Sequence, residues 1–160
     1  MKWPFLLRWG VALALGGAVQ HALAAERLMQ TWHPWQMDSL LVVWALTQVP
    51  RAQPLVVESV VRGTPIPPEQ AIDTPESPYR RNGRRTAFEE AVRQTGVSHP
   101  CIPRLHEAVR VVELASWRKP EYPAVEAFEA RLRRLIPSQP MRGGVDAALE
   151  EVEKYCREGK

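Results

Sequence analysis

The chain has 160 residues, 21 lysines and arginines against 18 acids, and two cysteines. That length suits a single domain with one modest core. A formal charge of only +3 argues against nucleic acid as a partner and makes any basic patch a local feature.

Two of the cations lie at the very start. Lys2 and Arg8 precede an apolar run from Trp9 to Val19, and Ala22-Leu23-Ala24 then supplies the small-x-small pattern that a signal peptidase needs. The run is shorter than the ~20 residues of a membrane span. No cysteine follows the cleavage point to accept a lipid. Residues 1–24 are therefore expected to be a secretory signal peptide and residues 25–160 a periplasmic or secreted domain, with no stable membrane insertion after cleavage. Without Lys2 and Arg8 the mature chain carries 19 cations against 18 acids. An exported chain allows Cys101 and Cys156 to pair. Two buried thiols on helix faces are the slightly preferred expectation.

In chain order, Leu28 to Trp32 reads as a short strand or extended segment that Pro34 breaks. A helix is expected from Asp38, with the Asp38 carboxylate as its cap. Leu40 to Leu46 (LLVVWAL) is apolar throughout, which fits a central helix buried on nearly all sides, although its valines suit a strand equally. Pro54 to Val61 reads as a second strand. Three prolines between Thr64 and Pro68 exclude a helix there, and Gln70 to Asp73 reads as another short extended piece.

Four more helices follow. The first starts after Thr86, turns Phe88, Ala91 and Val92 inward, and stops at Gly96. The next begins near Pro100 or Pro103, repeats Leu105, Ala108, Val109 and Val112 at helical spacing, and runs toward Trp117. A third carries Val125, Phe128, Leu132, Leu135 and Ile136 and ends at Pro137 and Pro140. The last places Cys156 on the stripe of Val145, Ala148, Leu149 and Val152. The expected fold is α+β: a helix-dominated single domain with a small sheet of short strands.

The stretch from Ile72 to Phe88, IDTPESPYRRNGRRTAF, holds the densest chemistry. Asp73, Thr74 and Pro75 can form a sharp turn. Arg80, Arg81, Arg84 and Arg85 flank the turn-forming pair Asn82-Gly83. Thr86 and Glu89 have the spacing of a capping box. Four guanidinium groups before a helix N-terminus could hold an oxyanion such as chromate or sulfate, with Arg80, Arg81, Arg84, Arg85 and Thr86 as its ligands. A solvated basic loop whose helix start is filled by Glu89 is the plainer alternative.

Thr31-Trp32, Asp38 and Trp44, followed by IDTPE, the Arg-Arg pair, Phe88-Glu89 and the late ELASW, resemble the chromate-resistance exported protein family, which is also the C-terminal part of chromate-resistance regulators. The resemblance runs from about Met29 to Trp117 and more faintly beyond. It implies an accessory role in oxyanion resistance and a family site among Thr31, Trp32, Asp38, Asp73, Glu76, Glu89 and Glu113. Where the family pattern carries histidine, glutamate or cysteine, this chain has Gln30, His33, Leu40, Gly83 and Arg110. The divergence implies an altered or reduced site without the donors for a metal or for redox chemistry.

Other chemistry is sparser. His99, Cys101 and His106 are close in sequence and could meet a soft metal, but their spacing matches no strong motif. Trp32 and Trp35 could flank a cleft, with core packing the more ordinary role. No nucleophile elbow is present. The expectation is an oxyanion-binding or oxyanion-sensing protein rather than an enzyme, without cofactor or metal. An exported structural or protein-interaction domain that has lost the family site is the alternative, and a metal or redox enzyme the least favoured.

Overall fold

The computed structural model describes residues 25–50, 52–114 and 122–159. The signal peptide expected over residues 1–24, and the run of the long helix toward Trp117, lie outside the described residues. No helix among the described residues is long and apolar enough to cross a membrane.

The chain forms β1 (Arg27–Trp32), α1 (Met37–Thr47), β2 (Leu55–Val60), a 3-10 turn (Pro68–Gln70), α2 (Ala87–Thr95), α3 (Ile102–Leu114), α4 (Pro123–Leu135) and α5 (Asp146–Glu158). This is the helix-dominated α+β domain expected, and its sheet has two strands. β1 and β2 pair in parallel, from Arg27 opposite Leu55 to Trp32 opposite Val60, so α1 is the crossover between them. Both carboxyl ends therefore lie at one end of the sheet. The extended piece expected at Gln70 to Asp73 adds no third strand. It makes single bridges, Gln30 to Ala71 and Ile72 to Tyr79, and a further bridge joins Glu58 to Arg142.

The core is built around α1. Each residue from Leu40 to Leu46 is at most 3% exposed, because a helix that is apolar on every side must be covered on every side. It packs on α2, α3 and α5. Each fully buried leucine or valine contributes roughly 1.5–3 kcal/mol of transfer free energy. The strand reading of the same run fails because three or more turns of helix satisfy the backbone internally, whereas a strand there would need partners on both sides.

The start of α1 differs from expectation. Gln36 is the N-cap residue and makes no side-chain cap. Asp38 lies inside the first turn and serves another helix, as described below. At α2 the capping box forms in both directions: Glu89 N–H donates to Thr86 Oγ1 at 3.2 Å and Thr86 N–H donates to the Glu89 carboxylate at 2.8 Å. Gly96 ends that helix with φ 64, a left-handed conformation that costs glycine little.

The preference for two free thiols is corrected. Cys101 and Cys156 form a disulfide with their Cα atoms 5.4 Å apart, a separation that permits the bond. Packing brings this about: the segment entering α3 and the last turn of α5 dock beside each other. Tyr155 stacks on Phe128 with centroids 3.9 Å apart, and the Arg104 guanidinium lies 4.0 Å over the other ring centre of that pair, Tyr155.

Candidate functional site

Asp38 is the starting point. It is 1% exposed, and its carboxylate accepts from Ala87 N–H at 2.8 Å and from Phe88 N–H at 2.7 Å. A side chain on α1 thus supplies an acceptor for the open end of α2, where free N–H groups and the helix dipole favour an anion. With Thr86 and Ala87 to Glu89 all donating to Glu89, Asp38 or Thr86, the start of α2 is filled by the chain's own groups. Burial raises the Asp38 pKa, while the two backbone donors act in the opposite direction.

Three further residues from distant parts of the chain meet Asp38 electrostatically. Asp73 sits in the turn after the 3-10 segment with φ 50 and accepts from Ser39 Oγ at 3.2 Å. Burial, and then the neighbouring Asp38, push its carboxyl up to about 7. Glu113, near the end of α3, is likewise raised by burial and by Asp38. Arg81 is the cation among these acids and donates to Glu113 Oε2 at 2.9 Å. Three half-buried or buried carboxyls with one guanidinium cannot all ionise cheaply, so the group holds a proton near neutrality.

That proton makes stability depend on pH. Between about pH 4 and pH 7 the folded chain keeps a proton on Asp73 that the unfolded chain has released, so stability falls as pH rises through this window. Asparagine is neutral, nearly isosteric and tolerant of positive φ. Denaturant midpoints of Asp73→Asn should therefore gain on those of the parent from pH 4 to about pH 7 and level off above it. Parallel profiles would show that Asp73 does not carry the titration.

Asp73 also lines a cavity of about 110 Å³ with Thr31, Trp32, His33, Ser39 and Arg62. Thr31 and Trp32 end β1, Arg62 follows β2, and Gln36 and Ser39 bring the start of α1 to the same wall. The cavity thus lies at the carboxyl ends of the two parallel strands, the place where ligands bind in open parallel sheets. Trp32 is fixed there by donating from Nε1 to Thr64 O at 2.9 Å. The His33 Nδ1 atom is buried without a hydrogen-bond partner among the described residues. The Thr31 hydroxyl, an imidazole, a guanidinium and a carboxyl that can be protonated near neutrality are a set able to donate to a small anion, and Ser39, which donates to Asp73, holds that carboxyl in place.

Of the residues singled out in the sequence, Asp38, Asp73, Arg81 and Glu113 come together, and Thr31, Trp32 and Asp73 share the cavity. Thr86 also reaches the Asp38 carboxylate through its side chain, and the others do not join them. Arg80 donates to Pro75 O, Arg85 pairs with Glu90 at 3.2 Å, and Arg84 is exposed. Glu76 and Arg80 line a separate shallow depression beside Glu90. Glu89 is held by Thr86 and by Arg110 at 2.6 Å. Two of the four arginines thus pair with glutamates and one with a backbone carbonyl, and the helix start they precede is closed.

Ser39, His33 and Arg62 were not identified as ligands from sequence, since single polar residues beside a strand end and a helix start carry no local signature. The soft-metal trio is also resolved differently. Cys101 is committed to the disulfide, His99 Nδ1 accepts from Cys101 N–H at 3.2 Å, and His106 packs edge-on against Phe88. No family model matches the chain, and no curated protein and no solved structure is significantly similar to it.

Proposed function

We propose that the mature chain is an exported protein that binds small oxyanions, in the accessory role that its resemblance to chromate-resistance proteins implies, and that the cavity at the start of α1 holds the anion. The observation that carries this reading is the contrast between the two helix starts. α2 is filled by Asp38, Thr86 and Glu89, whereas α1 has no side-chain cap and contributes Gln36 and Ser39 to the cavity wall. A helix start is a favourable anion position through its free N–H groups and dipole. Here it is joined by Thr31, His33 and Arg62. The volume of about 110 Å³ accommodates a tetrahedral oxyanion and little more.

Asp73 adds a condition. An ionised Asp73 would repel the anion, and a protonated one can donate to it, so binding draws a proton and is favoured as pH falls through about 7. Thermal melting of the mature chain from Ala25 should rise with sulfate or chromate beyond the effect of chloride at matched ionic strength. The rise should be larger at pH 6 than at pH 8. It should disappear in the Ser39→Ala, Arg62→Ala variant and persist in the Arg80→Ala, Arg84→Ala variant. The reverse pattern would return the anion to the arginine loop. A response no greater than that to chloride leaves an exported interaction domain without an anion site.

A further inference from the structure

On the other side of the His33-Pro34 corner lies a second and much larger cleft, of about 580 Å³, which the oxyanion reading does not use. Its apolar wall includes Trp35, Met37, Val112, Leu132 and Ile136. The volume falls within the range of sites for small organic ligands and is several times what a tetrahedral anion fills. Its chemistry also differs from that of the small cavity. Among the described residues of the lining the acids are Glu113 and Glu129, and both are paired, Glu113 with Arg81 at 2.9 Å and Glu129 with Arg133 at 2.6 Å. That paired surround calls for no charged ligand.

One polar group in the wall is unmatched. Trp35 is 7% exposed, and its Nε1 is buried with no hydrogen-bond partner among the described residues. An indole N–H can only donate. Leaving such a donor unmatched in a buried wall is costly, and its complement is an acceptor such as a carbonyl oxygen. An apolar body fits the aliphatic wall, and an uncharged one fits a rim whose acids are already paired. The geometry points to a second binding site in this cleft for a neutral organic molecule with a flat or aliphatic body and a carbonyl-type acceptor that takes the Trp35 Nε1–H. This proposal stands apart from the oxyanion site.

The probe is Prodan, a neutral dimethylaminonaphthalene bearing a propionyl ketone, whose emission shifts to the blue in an apolar setting. The mature chain should show a saturable blue shift at one dye per chain. The same naphthalene without the ketone should bind roughly tenfold more weakly, the loss expected when one buried donor goes unpaired. Trp35→Phe keeps an aromatic wall and removes the donor, so it should erase the preference for the ketone. Ile136→Glu, at the partly exposed end of α4, tests the cleft without touching a fully buried side chain and should weaken both dyes. Val61→Ser changes the most exposed large apolar side chain among the described residues, at 66%, and should leave binding unchanged. Absence of saturable binding, binding that follows Val61, or an Ile136→Glu variant that binds both dyes as the parent does would overturn the proposal. So would a folded Trp35→Phe that keeps the ketone preference.

Discussion

Asp38→Ala should lower the unfolding free energy by about 3 kcal/mol, most of it through a helix to which Asp38 does not belong. The substitution strips the acceptor from the N–H groups of Ala87 and Phe88, and both residues are fully buried. Each buried donor left unmatched costs roughly 1–3 kcal/mol. Part of that cost is offset, because the variant no longer desolvates a carboxylate next to Asp73 and Glu113. Asp38→Asn retains one acceptor oxygen and presents an amide where the second N–H points, so its loss should be intermediate. Urea unfolding measures both, and a loss under 1 kcal/mol for the alanine variant would mean that α2 is held by its own capping box alone.

Removing the disulfide is expected to have the largest effect. The two cysteines are 55 residues apart, and closing a loop of that size restricts the unfolded chain by about 4 kcal/mol in the chain-entropy account. The Cys101→Ser, Cys156→Ser variant should lose stability on that scale and still unfold in one transition. α5 keeps its other ties: the Tyr155 stack on Phe128 and the bond from Trp44 Nε1–H to Glu153 Oε1 at 2.6 Å. Equal urea midpoints for the parent with and without reductant, after thiol counting has shown the bond to be open, would contradict the expectation.

The elements that sequence disclosed were those written in local terms. The unbroken apolar run of α1, the Thr86 to Glu89 capping box, Gly96 as a stop and the stripes of α3, α4 and α5, with Leu135 the exposed exception on α4, each follow from neighbours within a turn or two. Asp38 shows where that kind of reading ends. Its position before an apolar run looks like a cap for its own helix, and only tertiary packing reveals that it caps one 49 residues further on. The arginine run shows the same limit in another way. Four cations in six residues suggest an anion site, yet their partners, Glu113, Glu90 and the Pro75 carbonyl, are assigned by the fold. The disulfide likewise depends on which helix ends dock.

The small sheet has one further consequence, for the behaviour of the protein in concentrated solution. Two parallel strands would ordinarily present two unpaired margins, each a template on which a second molecule can add a strand. Here the outer side of β1 is engaged at Gln30 by Ala71 and Ile72, and that of β2 at Val57 to Ser59 by Met141 to Gly143. An incoming strand would have to displace one of these segments before it found a continuous row of donors and acceptors. The short stretches outside the two strands, one of them anchored in the core by the fully buried Ile72, thereby guard the chain against growing into fibrous assemblies.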